Sequence, residues 1–218
     1  TGRYFNHFRR KYNNCQLSTA PQAILKGKKE SVMQPWKHLK TITHHKWLVF
    51  CGCVRVGLVW QGITHDLSKY SPVEFWNGAR YYQGNRSPNS MERREVGYST
   101  AWMHHKGRNR HHYEYWTDLN NESGRYESVL MPRKYLVEMV MDRRAACMTY
   151  QGKAYTPASA WEYYARSRER KLMHPELQRQ LEYLLMMLRD EGEEATFRYM
   201  KENVLKNKPF PWEEITEE

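Results

Sequence analysis

Between Pro35 and about Trp60 the apolar residues return every three or four positions, the period of a helix with one buried side. At about 100° per residue, His45 shares its side with Ile42, Leu48, Val49, Gly52, Val56 and Val59, whereas His44 shares its side with Lys37, Lys40, Trp47 and Arg55. His45 therefore points inward and His44 outward. Gln61-Gly62 punctuates this helix, and Thr64-His65-Asp66-Leu67 opens a short helical segment. Ser71-Pro72-Val73-Glu74 then gives a start signal, with a capping serine, a proline at the first position and a glutamate placed to close a capping box, for a helix to about Tyr82.

After a loop over 83–90, a further helix from Ser90 carries Tyr98, Ala101, Trp102 and His105 on one side. Lys106-Gly107-Arg108-Asn109 breaks it before the pattern resumes at His111. A loop at 120–124 precedes a strongly helical stretch from Pro132 to about Tyr150, with Tyr135, Glu138, Met139, Asp142, Ala145 and Ala146 along one side. Thr156-Pro157 caps an aromatic-rich helix. Leu177, Leu181, Leu184, Leu185 and Leu188 form an amphipathic stripe, and residues 193–205 supply a last helix. No segment sustains the period-two alternation of a strand. The expected fold is all-α: an N-terminal arm over 1–33, a helical core over 34–150, packed C-terminal helices over 151–206, and a loose tail over 207–218.

Composition narrows the function classes. The 218 residues include 35 Lys and Arg against 24 acidic residues, a net charge of +11 that favours anionic partners such as a phosphorylated substrate or a nucleic-acid backbone. Eight Trp and 16 Tyr supply apolar area for a core. The four cysteines have no disulfide-framework spacing, and reduced thiols are expected. Cys51 and Cys53 fit core packing, since no second pair completes a thiolate metal site. The longest apolar run, residues 47–60, is broken by Arg55 and falls short of the ~18 residues of a membrane span. With no recognisable signal peptide, a cytoplasmic location is expected and a membrane partner is not.

The candidate chemistry lies in the histidines. His104, His105, His111 and His112 fall within nine positions, the inward His45 lies 20 residues before His65-Asp66, and Asp142 sits on the apolar side of a long helix. Adjacent His and Asp side chains on a helix diverge enough to reach one divalent ion or straddle two. Each feature alone has an ordinary explanation. His45 suits a hydrogen-bonded core position, Asp142 suits a pair with Arg143 or Arg144, and the cluster at 104–112 suits a basic aromatic surface that stacks on bases. Together they point to a shared cation, because unpaired buried polar groups cost about 1–3 kcal/mol each and one ion satisfies several. His38, two helical turns from His45, is separated from it by about 10.5 Å of rise and cannot readily share its ion. His7 and His174 are incidental. Lys69, three residues beyond Asp66, and Lys106, Arg108 and Arg110 around the cluster are candidate phosphate-binding cations.

The order His, His-Asp, His groups, Asp, together with "GITHDLSKYSPVEF", "HHKGRNRHHYEYW" and "VEMVMDRRAA", resembles the HD superfamily of metal-dependent phosphohydrolases over about residues 36–150. The same stretches resemble a narrower bacterial and phage family of unknown function. The resemblance implies an HD-domain-like helical bundle with His45 as opening ligand, His65 and Asp66 as central pair and Asp142 as closing carboxylate. It further implies His105, His111 and His112 as the imidazoles of a two-metal member. Asn109, with His104 and Glu138, would orient ligands from outside. One or two divalent transition metals (Mn, Fe, Co, Ni or Zn) suit a nitrogen and oxygen donor set. The expected reaction is hydrolysis of a nucleotide or other small phosphorylated compound by metal-activated water, with Asp66 and Lys69 as catalytic residues. An HD-fold diiron oxygenase using the same ligands and a non-catalytic nucleic-acid-binding protein are the alternatives. The metal count, the ligand within each His pair and the oligomeric state stay open.

Overall fold

The computed structural model describes residues 32–166 and 172–213, and the chain is mostly helical. The expected N-terminal arm, with His7 and Cys15, lies outside the described residues apart from Val32 and Met33, as does the end of the expected tail from residue 214.

Helix α1, Pro35–Val56, buries His38, Ile42, His45, Val49, Cys53 and Val56 and leaves His44 exposed. It ends earlier than its apolar period suggests. Gly57 adopts the left-handed conformation, φ 89°, which an L side chain resists, and closes the helix. Val59 therefore leaves the buried side of α1, is 47% exposed and begins a separate helix, α2, Val59–Thr64, in which Gly62 is buried. A 3-10 turn at Leu67–Tyr70 leads to α3, Pro72–Arg80.

The helix expected from Ser90 is two helices, α4 at Pro88–Val96 and α5 at Thr100–Lys106. A buried carboxylate decides the break. Glu92 accepts hydrogen bonds from the backbone N–H of Thr100 at 3.0 Å, from Asn77 Nδ2 at 2.7 Å and from the Ser99 hydroxyl, while Ser99 Oγ caps α5 by accepting from Trp102 N. The expectation of no strands is corrected by a hairpin, β1 Thr117–Asn120 and β2 Arg125–Ser128, antiparallel with Thr117 opposite Ser128 and Asn120 opposite Arg125. Its strands are four residues long and mostly exposed on both sides, so no one-sided alternation marks them in the sequence.

Helix α6, Arg133–Gln151, is the centre of the core: Leu136 through Met141 are all buried. It packs on α1, on α7 (Ser159–Ala165) and on α8 (Pro175–Tyr199). The leucine stripe of α8, from Leu177 to Leu188, is buried as its spacing predicts. Gly192, φ 80°, interrupts α8, and a π turn at Met200–Val204 follows. Arg144 Nε and Nη2 donate to Glu193 at 2.6 and 2.7 Å, tying α6 to α8. In the tail, residues 206–209 are exposed, but Phe210 is buried and Trp212 and Glu213 are half-buried. Phe210 is 1% exposed and stacks on Trp212 with ring centroids 4.9 Å apart, because these rings complete the aromatic cluster around Tyr183. Cys53 and Cys147 are buried and Cys51 is half-buried, all three as free thiols.

His38 lies apart from the other imidazoles, wedged between Phe75 and Tyr82 where α1 crosses α3. Burial, with Lys69 adding to it, pushes its pKa down to about 4. A Cβ at Gly78 would fall on its ring, so this crossing requires a glycine. Gly78→Ala is expected to lower stability by about 1–3 kcal/mol through overpacking, and His38→Ala to cancel most of that penalty. Denaturant unfolding of both single variants and the double variant checks this; additive losses would place the strain elsewhere.

Candidate metal centre

Asp66 stands between two chain reversals, and its backbone explains how two consecutive side chains enter one core. Helix α2 stops at Thr64, His65 is extended, and Asp66 takes the left-handed conformation with φ 54° before the 3-10 turn. The His65-Asp66 pair is therefore a kinked junction between helices, correcting the expectation of a helical step. Asp tolerates this conformation better than most residues, although it is strained. His65 and Asp66 are each 1% exposed.

Four segments meet at Asp66. On the Oδ2 side, His65 Nε2 is 3.3 Å away and His45 Nε2, from α1, is 3.8 Å away; Asp142 Oδ1, from α6, lies 3.1 Å from His45 Nε2 and 3.7 Å from His65 Nε2. On the Oδ1 side, His105 Nε2, from α5, is at 3.2 Å and His111 Nε2 at 3.5 Å. His112 joins this side, its ring centroid 4.1 Å from that of His111. His45, His65, Asp66 and Asp142 each offer one donor atom within 4.8 Å of the others, and so do Asp66, His105, His111 and His112. Both are buried clusters able to hold a metal ion, and they share Asp66.

The opposite ring nitrogens have separate partners. Glu138, a turn before Asp142 on α6, accepts from Nδ1 of both His65 (2.9 Å) and His111 (3.1 Å). Glu74 of α3 accepts from Nδ1 of His105 (2.8 Å) and of His104 (2.6 Å). A proton fixed on Nδ1 leaves Nε2 as the donor facing Asp66, the usual support of a metal-binding imidazole. His45, His65, His111 and His112 each have a buried Nε2 without a hydrogen bond among the described residues, and so do both oxygens of Asp66, whose Oδ2 is met by the Lys69 ammonium as an ion pair. Such atoms are costly unless another group satisfies them, and their chemistry fits a cation.

Electrostatics divides the imidazoles. Burial lowers the pKa of His45, with Lys69 reinforcing it, and burial also holds His112 well below the ordinary value, helped by His111 and His105. For His65, the Asp66 charge together with the nearby Asp142 and Glu138 carboxylates outweighs burial and raises its pKa well above ordinary; His105 is raised by Asp66 and Glu74 in the same way. Burial opposes ionisation of Asp66, yet His65, Lys69 and His105 hold its carboxyl well below the usual range, and Asp142 is held down chiefly by His45 and His65.

The remaining sequence assignments divide. His104 reaches the centre only through Glu74. Asn109 Nδ2 donates to Ser68 Oγ and to the His105 carbonyl, both at 2.8 Å, and stands 3.1 Å from His105 Nδ1, so it ties the 105–109 turn to the 3-10 turn and, with Glu74, flanks the His105 ring. Asp142 pairs with His45 and not with Arg144, whose partner is Glu193. Lys69 lies 2.5 Å from Asp66 Oδ2 and also lines a cavity of about 720 Å³ that opens on His45, His105, His112 and Asp142. Lys106, Arg108 and Arg110 are not among the residues that line it. Arg108 turns back to the His104 carbonyl and Arg110 to the Tyr135 hydroxyl. Glu74 was read as a capping-box residue, but Ser71 makes no side-chain cap and the carboxylate is buried beneath the histidines. Its position at the start of α3 gave the same sequence signal in either role.

Residues 34–187 match the model of a family described as Family of unknown function (DUF5662), and the chain belongs to that family. No curated protein and no solved structure matches the chain. Among the described residues no helix is long and apolar enough to cross a membrane.

Two predictions follow from the geometry. Glu138→Gln leaves two imidazoles without a carboxylate and is expected to weaken binding of a divalent transition metal by about 10- to 100-fold with the helical signal retained; unchanged affinity in a metal titration would remove Glu138 from the site. The raised pKa values of His65 and His105 mean that a proton competes with a metal ion for Nε2. Metal uptake is therefore expected to release protons, and affinity to rise with pH. Calorimetry in buffers of different ionisation enthalpy measures that release; a buffer-independent heat would contradict it.

Proposed function

We propose that the chain is a metal-dependent phosphohydrolase of HD type, acting on a small phosphorylated compound with its scissile ester at Asp66. The support is the sharing of Asp66 by two buried His and carboxylate groups whose inward nitrogens lack other partners. In this reading His45, His65, Asp66 and Asp142 would hold one divalent ion, and Asp66, His105, His111 and His112 would hold a second. Nitrogen and oxygen donors without thiolate suit Mn, Fe, Co, Ni or Zn. Bound there, such ions supply Lewis acidity toward a phosphoryl oxygen and lower the pKa of water.

The chain's own groups define the rest. Hydrolysis forms a P–O bond to water and breaks the P–O bond to the leaving alcohol, whose oxygen gains a proton. Glu138 and Glu74 keep the imidazoles of His65, His111 and His105 in one tautomer, so these donors are set before substrate arrives. Lys69, held charged chiefly by Asp66 and Asp142 against the effect of burial, is the cation beside the bridge and faces the cavity, where it stabilises charge on a phosphoryl oxygen. Its contact with Asp66 gives it a second role, since it offsets the carboxylate's charge when the site holds no cation.

The first test is elemental analysis of the untreated protein, followed by phosphate release from a panel of phosphomonoesters with the metal found. Asp66→Ala is expected to abolish metal retention and phosphate release together, with helicity preserved. Lys69→Ala is expected to lower turnover by roughly 100-fold with metal still bound. Phosphate release unaltered by Asp66→Ala would end this reading, and iron-dependent consumption of dioxygen would transfer the same ligands to oxygenase chemistry.

A further inference from the structure

The cavity beside the metal centre contains a cation that the phosphohydrolase reading does not use. Arg143 follows Asp142 on α6, so the two side chains leave the helix about 100° apart: the carboxylate turns to His45, and the guanidinium lies farther along the same cavity. Arg143 is half-buried, its Nε is buried without a hydrogen bond among the described residues, and its Nη2 meets only the weak acceptor Met139 Sδ at 3.7 Å. Its guanidinium carbon stands 5.6 Å from the centre of the Tyr164 ring. No carboxylate forms an ion pair with it among the described residues, in contrast to the adjacent Arg144, which makes a bidentate pair with Glu193.

A guanidinium partly removed from water without an anion is costly, and it is always charged, so deprotonation cannot relieve the cost. An arriving anion can. The mouth has the same sign: Arg86 and Arg93 line it as exposed cations, Arg93 over the Trp102 ring at 5.5 Å. The lining carboxylates Glu74 and Asp142 are engaged by histidines, which leaves Glu114 as the one lining carboxylate without a histidine partner among the described residues. The volume of about 720 Å³ lies in the range of small-molecule sites and leaves room for more than one phosphate.

We propose that this cavity takes a small substrate bearing a second anionic group besides the reacting phosphate, and that Arg143 receives that second group while Arg86 and Arg93 draw it in from the mouth. The proposal rests on the reading of the cavity as the substrate site, and it names the substrate class as compounds with at least two separated anions. Arg143 is thus a specificity-determining residue and holds no metal.

The test compares adenosine 3′,5′-bisphosphate with adenosine 5′-monophosphate, which differ by one phosphate, in calorimetric binding to the metal-containing protein as purified. The wild-type chain is expected to bind the bisphosphate more tightly. Arg143→Ala should weaken the bisphosphate by about 10- to 100-fold and the monophosphate by less than about threefold, with metal content unchanged. Arg143→Lys should restore part of the difference. Arg93→Ala, at an exposed position, should reduce bisphosphate affinity at low salt and serves if the Arg143 variants fail to fold. Equal losses for both ligands, or no preference in the wild-type chain, overturn the proposal. Phosphate release in the same samples is read separately: selective binding without turnover keeps this inference and discards the hydrolase, whereas turnover without selectivity does the reverse.

Discussion

The carboxylate of Asp66 is the constraint to which the rest of the molecule answers. It is buried and ionised, with His45, His65, His105 and His111 presenting ring nitrogens between 3.2 and 3.8 Å from its oxygens. A charge in that position is tolerable only if its surroundings are fixed. Helix α1 brings His45, the break after α2 brings His65, α5 and the following turn bring the paired histidines, and α6 closes the group with Asp142. The left-handed backbone at Asp66 is the local expense of turning adjacent side chains into one space.

A second level of organisation supports the first. Glu138 and Glu74 lie behind the imidazoles of His65, His111 and His105 and hold those rings by the far nitrogen, so carboxylates on helices support ligands that stand partly on turns. Both carboxylates stand on helices that pack against α1. The same packing that buries Val49, Cys53 and Met141 therefore positions the chemistry.

Charge is divided between the centre and the approach. Around Asp66 the imidazoles and Lys69 are balanced by Asp66, Asp142, Glu74 and Glu138. Along the cavity the balance shifts to arginines, with Arg143 lacking an acidic partner among the described residues and Arg86 and Arg93 at the mouth. An incoming anion meets the exposed cations Arg86 and Arg93 before it reaches the centre.

Much of the helical core could be read from the chain alone, because periodicity reports which side of a helix is buried. His45 against His44 and the leucine stripe of α8 follow from spacing, and so does the long helix that carries Asp142. Other features depended on partners distant in sequence. The ends of α1 and the split between α4 and α5 were set by Gly57 and by Glu92 reaching Thr100, and the exposed hairpin left no one-sided pattern to read. Phe210 became core only because Tyr183 stands beside it. Glu74 and Glu138 show the limit most clearly. A glutamate near the start of a helix and a glutamate one turn before an aspartate are ordinary in sequence, and their meaning depends on which nitrogen another segment places 3 Å away. Periodicity carries information along one helix, whereas a ligand set, its supporting carboxylates and an arginine without a counterion are relations between helices that only their packing decides.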